Sequence, residues 1–128
     1  MIDLSLLVGR QLEQVARHDG SWGFTFTGGV ALRVDCLWRV TESGRLLLTS
    51  EDHGHRFGLP AAVDGVAELQ RRFVGTSVTS ATVREGGVDI ALAFSCGAAI
   101  EVIATSAGYE AWVLSGQGVL MVGQPGHE

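Results

Sequence analysis

The 128-residue chain has no lysine, two prolines, two cysteines and one tyrosine, and it lacks any apolar run near the roughly 18 residues a bilayer-spanning helix requires. Each shortage excludes something. All nine cationic residues are arginines, and with fourteen acids the formal charge is −5. That balance excludes a nonspecific nucleic-acid binder, which needs a basic surface to displace counterions. Two cysteines, with no Cys-x-x-Cys pair, are too few for a disulfide framework or a zinc knuckle, so Cys36 and Cys96 read as reduced thiols packed as small core hydrophobes. The opening Met1 to Val8 lacks a basic segment and a long apolar segment, so no signal peptide is expected and the assigned location is cytoplasmic, with no membrane association. Missing as well are the Gly-x-Ser-x-Gly elbow, the His-Glu-x-x-His zinc helix and a glycine-rich phosphate loop.

What the chain does have is glycine, eighteen of them, set between short alternating apolar segments. This is the pattern of many tight turns joining short strands. Strands are expected at 12–16, 23–27 (Phe24 and Phe26 inward), 30–35 (Val30, Leu32 and Val34 inward, Arg33 and Asp35 on the other face), 36–41 and 45–49. Period two applied to the second half gives a strand at 89–94 that is apolar on both faces.

The two halves echo one another. Val8-Gly9 recurs as Val74-Gly75, an offset of 66; Phe24 and Phe26 recur as Leu92 and Phe94, and Leu32 and Val34 as Ile100 and Val102, all at 68. Trp38 recurs as Trp112, and Leu46-Leu47-Leu48 as Leu120-Met121-Val122, at 74. The drift from 66 to 74 requires insertions only at turns, where they are tolerated. The expected class is therefore mainly β (α+β): two duplicated antiparallel β-meanders, 8–49 and 74–123, forming a sandwich or a curved sheet within a single domain, 1–128. One helix is expected between the halves, at about 60–73. Pro60 suits a first helical turn, and Ala62, Val66, Leu69 and Phe73 recur at helical spacing, facing the second sheet near the strand at 89–94.

Functional signals are sparse. Glu51-Asp52-His53-Gly54-His55 is the densest cluster of metal-ligand types, and His53 and His55 define the alternative reading, a small metal-dependent hydrolase. As a set it lacks a third ligand from a separate element, so it reads first as a solvated loop. Ser95-Cys96-Gly97 has no accompanying elbow, and Glu101 and Glu110 have no spacing that marks an acid–base pair, so no catalytic residue and no cofactor is assigned. The two tryptophan units remain. If residues 109–114 form a strand, Glu110 and Trp112 share a face, which sets a core role for Trp38 and Trp112 against a groove lined by Trp38, Tyr109, Glu110 and Trp112. Strands 45–48 and 119–122 are apolar on both faces, more than one short helix covers. The exposed face, placed at Leu47 and Met121, is expected to be closed by a homodimer or a cognate protein partner.

The Tyr-Glu-x-Trp tetrad at 109–112, the apolar strand ending in Val-Gly-Gln-Pro-Gly, the Val8-Gly9 opening and the Leu37-Trp38 pair resemble a family of small uncharacterised bacterial proteins, mainly actinobacterial. The resemblance covers most of the chain and implies a β-rich fold with no activity attached. In size and β content the chain is also distantly similar to immunity proteins of toxin systems. The combined expectation is a nonenzymatic protein-interaction or binding module of that kind.

Overall fold

A computed structural model describes residues 2–127. Ten strands form two antiparallel sheets: β1 (Leu12–His18), β2 (Ser21–Phe26), β3 (Val30–Val34), β4 (Leu37–Glu42), β5 (Arg45–Thr49), β6 (Val78–Val83), β7 (Ile90–Phe94), β8 (Ala98–Ile103), β9 (Trp112–Gly116) and β10 (Val119–Gly123). The mainly β class with one helix between the halves is thus what the chain adopts. The order is β1-β2-β3-β9-β10 in one sheet and β5-β4-β8-β7-β6 in the other. Each half keeps three strands in one sheet and sends its last hairpin to the other. Strand alternation does not reveal that exchange, because β3 and β4 are separated by only two residues and read as one continuous meander.

The sequence offsets reappear in the strand register. Leu32 stands opposite Leu114 and Val34 opposite Trp112. Adding 68 to the first member and subtracting 74 from the second gives Ile100 opposite Val40 and Val102 opposite Trp38, which are the observed pairs of β8 and β4. Where the first strands of the halves meet, Gly9 N–H donates to the Val78 carbonyl at 2.8 Å and Gly75 N–H to the Leu12 carbonyl at 2.9 Å. These two bonds are related by the offset of 66. Both glycines sit at φ of 87°, a left-handed conformation that a side chain would strain.

Alternation fills the space between the sheets with Phe24, Phe26, Val30, Leu32, Val34 and Leu114 from one side and Val40, Ile90, Leu92, Phe94, Ile100 and Val102 from the other, all buried. Among the described residues no polar or charged residue is buried. Trp22 meets Trp38 edge to face with ring centroids 4.9 Å apart, tying β2 to β4 across the core.

The helix α1 (Gly65–Phe73) is shorter than the 60–73 expectation. Its start is set by Asp64, whose carboxylate accepts from Ala67 N–H at 3.1 Å, and by His53 Nδ1, which accepts from Gly65 N–H at 2.9 Å. Pro60 and Ala62 therefore lie in the preceding loop. Gly65, Leu69 and Phe73, spaced by four, form the buried stripe, with Val66 partly buried beside them. The helix lies along the edge strand β1, where the Gln70 side chain accepts from Val15 N–H at 3.2 Å. Phe73 reaches the second sheet, its ring 4.7 Å from that of Phe94. The helix packs mainly on β1, so the smallness of Ala91 and Ala93 does not mark a helix-packing face.

Candidate functional site

Tyr109 and Glu110 precede β9 instead of belonging to it, so the parity that put Glu110 and Trp112 on one face does not apply. Trp112 opens the strand and is fully buried, as is Trp38, and neither lines a surface groove. Tyr109 is 80% exposed, the most exposed large apolar side chain among the described residues.

The loop that presents Tyr109 is held at several points. Ser106 Oγ accepts from the N–H groups of Gly108 and Tyr109 at 3.1 and 3.2 Å, and Gln124 Nε2 donates to the Gly108 carbonyl at 2.7 Å. Ala111 is pinned on both sides: its N–H donates to the Gly123 carbonyl at 2.7 Å and its carbonyl accepts from Asp35 N–H at 2.9 Å. The adjacency of β3 and β9 then brings residues from distant parts of the chain together. Arg33 Nη2 donates to Glu110 Oε1 at 3.1 Å and Arg33 Nε to Asp35 Oδ2 at 3.0 Å, so one guanidinium joins two carboxylates. Ser21 Oγ donates to the other Asp35 oxygen.

Residues of this ridge line two open cavities, which share Asp35. One, of about 570 Å³, is lined by Asp35, Cys36, Ser106, Tyr109, Glu110 and Gln124. The other, of about 710 Å³, runs over Ala16, His18, Ser21, Gly23, Arg33 and Asp35. Two nucleophile types adjoin the carboxylates: Ser21, whose hydroxyl donates to Asp35, lines the second cavity, and Cys36 lines the first. Burial, with Asp89 and Asp35 adding to it, pushes its thiol up to about 12. At neutral pH it is a protonated thiol, a poor nucleophile and a poor metal ligand. The ridge therefore offers charge, hydrogen-bonding groups and an aromatic ring, and its one thiol is not activated.

The other residues singled out in the sequence lie elsewhere. His53 is half-buried, its ring edge-on to Trp22 at 5.3 Å and its Nδ1 occupied by the helix start. His55 stacks on Phe57 at 5.6 Å. Among the described residues no group of three or more His, Cys, Asp or Glu side chains gathers where it could hold a metal. Leu47 and Met121 pack partly buried against the core. Met121 stands opposite Leu114, a core residue, and so faces inward; Leu47 sits at a register shift in the pairing of β5 with β4. The outward apolar positions are their neighbours Leu46 and Leu120, which are 59% and 73% exposed. Cys96 is exposed in the turn between β7 and β8, and is not a core residue. Glu101, in β8 of the second sheet, pairs with Arg39 at 2.6 Å, whereas Glu110 precedes β9 of the first.

Arg33 and Asp35 were legible as sharing a face, but their meeting with Glu110 depends on a strand order no local pattern encodes. Ser106 gave no signal, and Gln124 appeared only within the Val-Gly-Gln-Pro-Gly ending, with nothing to mark its bond to Gly108. Trp22, which joins the sheets, follows a turn and lacks a counterpart in the second half, where Ile90 takes its place.

A two-sheet antiparallel β protein with a polar, aromatic-tipped surface ridge is the class defined by this geometry. The chain belongs to a family of unknown function, DUF6188, whose model matches residues 6–128. No curated protein and no solved structure matches it. Among the described residues no helix is long and apolar enough to cross a membrane.

Proposed function

We propose that this protein works by binding another protein, without catalysis, through the ridge formed by Tyr109, Glu110, Arg33 and Asp35. The observation that carries the reading is the presentation of Tyr109: a large aromatic side chain, almost wholly in solvent, on a loop whose backbone donates to Ser106 Oγ and the Gly123 carbonyl and accepts from Gln124. A tyrosine whose backbone is held before contact has less conformational freedom to lose on binding, and its large ring has few rotatable bonds, which makes aromatic residues frequent anchors at interfaces. Beside it, Arg33 engages only Oε1 of Glu110, leaving the second oxygen to accept from a partner's donor. The protonated Cys36 thiol and the separation of the histidines support recognition over chemistry. A cognate partner of the toxin kind, occluded by an immunity protein, is the form of binding that the sequence resemblance favours.

The test is affinity capture from the native cells with wild-type bait beside Tyr109→Ala and Glu110→Arg baits. A partner recovered with the wild type and lost with both variants, which keep their native circular dichroism, is the expected result. Recovery of the same proteins by all three baits would remove the ridge as the binding surface.

A further inference from the structure

A sheet edge exposes unpaired backbone N–H and C=O groups, and natural proteins blunt such edges with bulges, charges, prolines or covering segments. This fold has four edges, β1 and β10 in one sheet and β5 and β6 in the other. Three are blunted. The pairing of β1 shifts between Leu12 and Gln14, and the Gln70 side chain occupies Val15 N–H. The pairing of β6 shifts between Val78 and Ser80. The pairing of β5 with β4 also shifts, the strand begins with Arg45, and Phe57 and Leu59 line one cavity with Leu47 and Leu48.

β10 has none of these devices. Its pairing with β9 runs without a shift from Val119 to Gly123. It carries no charge and no proline, and no formal charge occurs anywhere from Ala111 to Gly126. Leu120 is 73% and Val122 38% exposed. β5 and β10 occupy equivalent places in the two halves, so the chain holds its own control: Leu46 matches Leu120, but Arg45 and the register shift have no counterpart in β10.

We propose that β10 pairs antiparallel with β10 of a second copy of this chain, joining two five-stranded sheets into one across a twofold axis at Met121. The register follows from the hairpin. Gln117 and Gly118, at φ of 54° and 76°, make a two-residue turn of the I′ kind, which makes Gly116 and Val119 its first hydrogen-bonded pair. Alternation then turns the N–H and C=O of Val119, Met121 and Gly123 toward β9, and those of Leu120 and Val122 outward. Antiparallel self-pairing centred on Met121 sets Leu120 of each copy opposite Val122 of the other. Each such pair exchanges two backbone hydrogen bonds and places a leucine beside a valine on the outer face. A second copy suits this edge because the pairing is self-complementary and because two chains of charge −5 meet where neither carries charge. The pairing uses none of the ridge side chains, although Gly123 and Gln124 at the end of β10 also hold the Tyr109 loop.

The experiment is sedimentation velocity over a dilution series of the whole chain, up to about 1 mM. The wild type is expected to sediment as a dimer that dissociates on dilution. Leu120→Lys, which charges the outer face, and Val122→Pro, which deletes an outward N–H while leaving the bonds to β9, are each expected to weaken dimerisation at least about tenfold. Leu46→Lys is expected to leave it unchanged. A Leu120→Cys copy mixed with a Val122→Cys copy, both carrying Cys96→Ser, is expected to form a mixed disulfide in preference to either self-linked product. A wild type monomeric throughout, a dimer insensitive to both β10 variants, or cross-linking without that preference would each overturn the proposal.

Discussion

Trp38 and Trp112 occupy matching places in the two halves, each opposite a valine of the neighbouring strand, yet only Trp112 has a partner for its indole N–H, the Val88 carbonyl at 2.7 Å. The Trp38 Nε1 atom is buried and unpaired among the described residues. Substitution by phenylalanine should therefore act differently at the two sites. Trp112→Phe loses volume and also orphans a carbonyl, whereas Trp38→Phe loses similar volume while deleting a donor that costs about 1–3 kcal/mol to bury unpaired. Urea denaturation should show Trp112→Phe to be the more destabilising by about 1–2 kcal/mol.

The helix gives a second contrast. Gly65→Ala at a helix start would ordinarily stabilise by up to about 1 kcal/mol. Here the added methyl would sit 2.7 Å from Trp22 Cη2, and that ring is confined by Trp38 and His53. The expected outcome is a loss of about 1–3 kcal/mol in urea denaturation.

At the other end of the helix, Phe73 is fully buried against Phe94. Phe73→Ala should cost about 3–5 kcal/mol by the same measurement.

The two thiols should separate cleanly. Cys96 is exposed, so a disulfide reagent at neutral pH should label one thiol quickly in the native protein and two after unfolding. The raised Cys36 value also carries a sign. The fold favours the protonated thiol, so its stabilising contribution is complete below the ordinary value of 9.0 and is lost as pH rises toward about 12. Cys36→Ala should flatten the fall in stability over that alkaline range.

Much of the fold was legible because alternation and a repeated tryptophan are local signals. The offsets of 66, 68 and 74 survive as hydrogen bonds and strand pairs, down to Val102 opposite Trp38. The exchange of hairpins was not legible, since two residues between β3 and β4 look alike whether the chain turns back or crosses to the other sheet. The site was legible only in part. Tyr109 and Glu110 are on the surface while Trp112 shares the buried face with Leu114, because β9 starts at Trp112 and its alternation does not extend back to Glu110. Sensitivity to a one-residue shift explains why Leu47 and Met121 lie inward while Leu46 and Leu120 face water.

Recognition of another protein at the exposed Tyr109 is the proposal on which the functional reading rests. Replacing Tyr109 with a photo-crosslinking phenylalanine derivative in the native cells tests it most directly. The expected result is a discrete adduct of higher mass with a protein other than this chain, which disappears when Glu110→Arg is added and does not form when the same group is placed at Leu46. No adduct at Tyr109, or the same adducts from both positions, would contradict it.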